Sequence, residues 1–172
     1  MTTRILCPGP SLARYQADDF AGVVIGVNRA AVAHCCDYWV AGDDLAVAKI
    51  GQNVLGRPLL FTTGDVLGQI RDGRLAWTGQ VRRWEELYEE LPPSPPAWTL
   101  FSLTAAIALA AWLRFDRIEI FGCDWTIAGD FDGDVSTISG RSEQRWAHER
   151  ERYDALCVRL AARGVSVIRI LK

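Results

Sequence analysis

Apolar residues along this chain fall in short runs separated by polar and glycine-rich punctuation, and the runs switch between the strand period and the helix period. "TRILC" (3–7) is an apolar run closed by Pro8 and Gly9, which predicts a strand. The next segment, "SLARYQADDF", predicts a helix capped by Ser11, with backbone N–H groups open at its start. "GVVIGVN" (22–28) is β-branched and apolar throughout, the pattern of a strand covered on both faces. A short helix through "RAAVAH" leads to a third strand in "DYWVAGDD" (37–44), which ends in two acids. "PLLFTT" (58–63) predicts a fourth strand and "RLAWTG" (74–79) a weaker extended piece. "VRRWEELYEEL" (81–91) predicts a helix with Trp84, Leu87, Tyr88 and Leu91 on one face. "PPSPP" (92–96) then stops it as a stiff connector too short to divide domains.

The second half is more apolar. "TLFSLTAAIALAAWLRF" (99–115) is apolar nearly all round and predicts a buried helix. "RIEIFGCDW" (117–125) predicts a strand ending at Gly122, and the stretch from Thr126 to Gly140 a loop. "RSEQRWAHERERYDALCVRLAARG" (141–164) predicts a long helix with Trp146, Tyr153, Leu156, Cys157 and Leu160 along one stripe, ended by Gly164. "VSVIRI" (165–170) predicts a final strand. Strands alternating with helices imply an α/β sandwich around a mainly parallel sheet, with residues 1–172 as a single domain.

Composition narrows the function classes. The formal charge of −2 gives no electrostatic footprint for a nucleic-acid backbone. No apolar run approaches the roughly 20 residues of a membrane span, and the first ten residues do not have the pattern of a signal peptide. Five cysteines without regular spacing fit a reducing cytoplasm and small core positions better than a disulfide framework.

A sheet of this kind places ligands beyond the carboxyl ends of its strands. Those ends carry Gly9–Ser11, Asn28, Asp43–Asp44 and Gly122–Asp124, although turning and capping alone also call for Gly, Asn and Asp. "GDFDGD" (129–134) alternates Asp130, Asp132 and Asp134, so a Mg²⁺ site is the alternative to a plain acidic turn. It is not an EF-hand loop, because its glycine comes too early and no glutamate follows at the required spacing. The four arginines of "RSEQRWAHERER" are nearly offset by Glu143, Glu149 and Glu151, which points to helix-surface ion pairs rather than a phosphate trap.

"GPSL", "VIGVNRA", "CDYWVAGD" and "SLTAAIALA…RIEIFGCDW" occur in that order. Together they resemble the small bacterial α-2,3-sialyltransferases and their short phage-encoded relatives, whose Rossmann-like core is similar to that of archaeal 6-hydroxymethylpterin diphosphokinases. The resemblance implies a Rossmann-like three-layer sandwich and a nucleotide-sugar donor lying over Gly9, Pro10, Ser11, Asn28, Ser102 and Gly122. Asp124 matches the acid of the family's Gly-x-Asp-aromatic motif. Asp43, Asp124 and His148 are the candidate catalytic residues for deprotonating an acceptor hydroxyl. The chain departs from the pattern at Cys7 and Pro8, which stand where the family has Gly and a donor-contacting Asn. The only histidine in the stretch that matches the family's catalytic-histidine region is His148, and the family's two tyrosines have no clear equivalents. Two alternatives therefore stand beside a glycosyltransferase-like protein needing no cofactor. One is a nucleotide- or phosphometabolite-binding protein without catalysis, and the other a Mg²⁺-dependent diphosphotransferase.

Overall fold

The computed structural model describes residues 1–89, 101–126, 130–133 and 142–171. Its strands are β1 (Thr2–Leu6), β2 (Val23–Val27), β3 (Tyr38–Val40), β4 (Leu59–Thr62), β5 (Val81–Arg83), β6 (Arg117–Phe121) and β7 (Ser166–Ile170). They form one seven-stranded sheet in the order β5-β4-β3-β2-β1-β6-β7. Every neighbouring pair is parallel, with Ile5, for example, flanked by Ile25 and Ile120. The helices are α1 (Ala30–Ala33), α2 (Asp44–Ile50), α3 (Gly64–Arg71), α4 (Glu86–Glu89), α5 (Ser102–Trp112) and α6 (Glu143–Ala161).

The alternating direction of strand side chains sorts the core into layers. Ile5, Ile25, Val27, Val40, Phe61, Ile118 and Ile120 pack with α5 and with Tyr153, Leu156 and Leu160 of α6. On the other face Trp39, Ala41 and Leu60 meet Ala31, Val47, Ile50 and Val66 of the first three helices, while Leu6 packs on Leu12 and Ala30. This is the three-layer, Rossmann-like α/β sandwich, with a sheet that is parallel throughout. Residues Leu103–Ala110 of α5 are all buried, as the unbroken apolar run requires.

Three expectations are corrected. The helix placed after β1 is a 3₁₀ turn, Pro10–Arg14, whose cap is Gly9; Ser11 caps nothing there. Residues 74–79 form no strand. The extended piece is instead β5, which takes the first three residues of the segment read as helix; among the described residues of that segment, Glu86–Glu89 is helical. Trp84 and Leu87 are nevertheless buried. Leu91 and the proline-rich connector lie outside the described residues, as does the side chain of Tyr88.

The chain steps outward from β1 through β2, β3, β4 and β5, then crosses back through α5 to β6 on the other side of β1. The strand order therefore reverses between β1 and β6, which opens a crevice at their carboxyl ends. In a parallel crossover the helix runs against the strands, so α5 and α6 both start at that edge.

Candidate functional site

A cavity of about 230 Å³ lies along the carboxyl edge of the sheet. Its lining comes from Cys7–Gly9 after β1, Val27–Asn28 around the end of β2, Gly42–Asp43 after β3, Thr63 after β4 and Trp84 after β5. Gly122–Thr126 follow β6, and the starts of α5 (Phe101–Leu103) and α6 (Arg145, Trp146, Glu149) close it from one face. These residues follow six adjacent strands. At about 4.8 Å per strand the outer two are on the order of 24 Å apart. The lining is shaped for an extended ligand.

At the crevice, two glycines let two loops touch. Gly9 N–H donates to the Gly122 carbonyl at 2.8 Å, and Cys7 N–H to the Phe121 carbonyl at 2.8 Å. Gly122 has φ +70°, the left-handed region that favours glycine, and a Cβ there would collide with the Cys7 carbonyl. Asp124, half-buried beside them, accepts a hydrogen bond from Ser11 N–H at 2.7 Å. Ser11 is thus tied to the site through its backbone, although neither it nor Pro10 lines the cavity.

In the middle of the slot, Ser102 is the first residue of α5, and Asn28 directly follows β2 at φ +47°. The Ser102 hydroxyl donates to Asn28 Oδ1 at 3.4 Å. Asn28 is held on both sides: its N–H donates to the Val40 carbonyl at 3.0 Å, and its carbonyl accepts from Trp39 Nε1 at 3.0 Å. The cap of α5 is Phe101, which supplies no side-chain hydrogen bond. An uncapped helix start of this length favours negative charge or hydrogen-bond acceptors. Arg145 adds a cation, its guanidinium 5.6 Å from the Phe101 ring centroid.

The candidate acids have structural duties. Asp43 is the exposed cap of α2, its Oδ1 accepting from Ala46 N–H at 2.6 Å. Asp43, Asp124 and Glu149 all line the cavity. His148, by contrast, is exposed on α6 and is not in the lining, although its neighbours Trp146 and Glu149 are. Asp130 is buried and ion-paired with Arg29 at 3.3 Å, and Asp132 is ion-paired with the same guanidinium. A Mg²⁺ ion does not fit this pair, because both carboxylates already face a cation; Asp134 lies outside the described residues. Among the described residues, no group of three or more His, Cys, Asp or Glu is placed to hold a metal ion.

Cys7, just after β1, and Cys123, just after the end of β6, are buried in the cavity wall and contact each other. Their mutual contact, and then burial, push the Cys7 thiol well above its ordinary value. Sequence reasoning missed Trp84, Thr63, Trp125, Arg145 and Glu149 as lining residues. Only the end of β4 carried a signal, for Thr63.

No protein-family model matches the sequence, and no curated protein matches it. Among solved structures, the chain is similar to the sialyltransferase CstII from Campylobacter jejuni in complex with a substrate analogue, CMP-3FNeuAc. The identity is 12% and the TM-score 0.60, over 98% of this chain and 80% of that one. It is also similar to the sialyltransferase CST-II in complex with a trisaccharide acceptor and CMP, at 12% identity and a TM-score of 0.63 over the same shares. At this identity the likeness establishes a common fold. No helix among the described residues is long and apolar enough to cross a membrane.

Proposed function

We propose that the cavity binds a nucleotide-sugar and that the protein is a sialyltransferase-like glycosyltransferase. The observation that carries this reading is the contact between Ser102 and Asn28 at the uncapped start of α5, beside the β1/β6 crevice. A hydroxyl, an amide and a helix start converge where an anionic phosphate is best stabilised. The sialyltransferases of the same fold were solved with CMP or a CMP-sugar analogue, and the slot here has the length for such a ligand.

In this reading the acceptor hydroxyl attacks the sugar carbon as its bond to the donor phosphate breaks, and the hydroxyl proton passes to a carboxylate. Asp124 is the best-placed base. One of its oxygens is fixed by Ser11 N–H, which orients the carboxylate while the other oxygen stays available. His148 is not among the residues that line the cavity, so this reading assigns the step to Asp124. Release of CMP from a CMP-sugar, followed by chromatography, tests the proposal. Turnover in the native chain that drops at least about a hundredfold in Asp124→Asn is expected. Equal turnover in both would remove Asp124 from the mechanism.

A second reading, ligand binding without catalysis, is favoured by one observation. Asp43 and Asp124 each already serve as acceptors for backbone N–H groups, so both have structural reasons to be present. Saturable CMP binding with no donor turnover would select it.

A further inference from the structure

We infer that a neutral saccharide, the acceptor, docks in a second cavity on the exposed side of α6, with Trp125 and Trp146 between it and the donor slot. The inference rests on the glycosyltransferase reading and names where the second substrate of that reaction sits.

The second cavity, of about 360 Å³, is lined by Trp125, Thr126, Glu143, Trp146, Ala147 and Arg150. Trp125, Thr126 and Trp146 also line the main cavity, so the two spaces adjoin. Helix spacing explains the division. Glu143, Trp146, Ala147 and Arg150 stand at i, i+3, i+4 and i+7 and form one stripe of α6. Arg145, Trp146 and Glu149 form the neighbouring stripe, which lines the main cavity. Trp146 belongs to both. Trp125 directly follows Asp124, so a molecule held against Trp125 in the second cavity lies beside the proposed base.

The lining suits a polyhydroxylated ring. Two half-buried indoles form its apolar wall, and Trp125 is held in place by Arg169, 4.5 Å from its ring centroid, and by Tyr153 edge-on at 5.2 Å. Glu143 and Arg150 are both exposed, and among the described residues neither makes an ion pair or a side-chain hydrogen bond. Arg150 instead keeps its guanidinium 5.4 Å from the Trp125 centroid. Seven residues of helix set the two about 10 Å apart along the axis, with the small side chain of Ala147 between them. The stripe therefore offers hydrogen-bond acceptors at one end, donors at the other, and no net charge. Saccharide hydroxyls both give and accept hydrogen bonds, and the C–H faces of the rings pack against aromatic walls. An apolar ligand would strip water from two ionised groups without replacing it. Glu143 also suits the first turn of α6, but a helix start accounts for neither Arg150 nor the cavity.

The test uses the full chain with saturating CMP on an array of immobilised neutral oligosaccharides, each also present with an added carboxylate-bearing sugar. The native protein is expected to bind a subset of the neutral members. Binding should fall about tenfold or more in Arg150→Ala, which removes a charged donor. It should fall likewise in Ala147→Met, which fills the space between Glu143 and Arg150. Both positions are exposed on α6, so the variants should fold, and calorimetric CMP affinity, which reads the main cavity, should stay native in each. CMP binding by the native protein without capture of any neutral saccharide would overturn the inference and leave the donor site standing. Undiminished saccharide binding in both variants would also overturn it, as would binding confined to the carboxylate-bearing members. Failure of the native protein to bind CMP would overturn the functional reading on which the inference rests.

Discussion

Gly9 approaches Gly122 so closely that a Cβ on Gly9 would lie 2.5 Å from the Gly122 carbonyl oxygen and 2.6 Å from Asp124 Oδ2. Two loops that are 113 residues apart in sequence thereby share one short seam of hydrogen bonds at the switch in strand order. Gly9→Ala is expected to force that seam apart and to cost on the order of 2 kcal/mol, as overpacking against backbone does. Gly122→Ala should cost more, since it adds a left-handed φ of +70° to the collision. Urea denaturation of both variants checks this, and native-like midpoints would mean the loops can separate freely.

Asp43 is expected to act first as a helix cap. Asp43→Ala should lower stability by about 1 kcal/mol, and Asp43→Asn should restore most of it because the amide oxygen still accepts from Ala46 N–H. If Asp43→Asn keeps stability and also keeps donor turnover, the carboxylate is needed for neither. Denaturation and CMP-release assays on the same samples separate the two roles.

The cysteines should react in an order set by burial. Cys35 is exposed, whereas Cys7 and Cys123 are buried. Burial pushes the Cys36 thiol up to about 12, and contact with Cys123 together with burial raises Cys7. Alkylation at pH 8 followed by peptide mass mapping should find Cys35 modified first. Cys7 and Cys123 should be modified only as the protein unfolds. Early modification of Cys7 in the folded protein would contradict the packing of β1 on β6.

Burial holds the His34 imidazole below its usual value of 6.5, and its ring stands edge-on to Tyr15 at 5.0 Å. The folded state therefore binds a proton there less readily than the unfolded chain. The resulting stability is present above pH 6.5 and is lost as the pH falls through the lowered folded value. Between pH 7 and pH 5 the native protein should lose more stability than His34→Gln, whose carboxylates titrate in the same way. Parallel loss in the two proteins would show that His34 contributes nothing.

Much of this architecture was legible in the sequence, because six of the seven strands are apolar runs and α5 is apolar all round. β5 escaped notice for a physical reason. It is a three-residue edge strand with exposed Arg82 and Arg83, so it has no strand pattern, and charge on such an edge is a common guard against further pairing. The turn after β1 was read as a longer helix because Ser11 suits a helix cap. The backbone is fixed there by Asp124, a partner local pattern cannot reveal. Gly9, Asn28, Asp43, Gly122 and Asp124 were found as strand-end residues, and Ser102 by family resemblance. Trp84, Arg145 and Glu149 reach the same cavity through strand order and helix direction, which no window of sequence contains.

The claim that this cavity holds a nucleotide at the start of α5 is tested most directly by calorimetric titration of CMP into the native protein and into Ser102→Ala. Ser102 is not the cap of α5, and its hydroxyl bonds to Asn28 at 3.4 Å, so the variant should fold with nearly native stability. The native chain should bind CMP saturably at one site, and the variant should bind roughly tenfold more weakly. No binding to the native protein at millimolar CMP, or the same affinity in a folded Ser102→Ala variant, would contradict it.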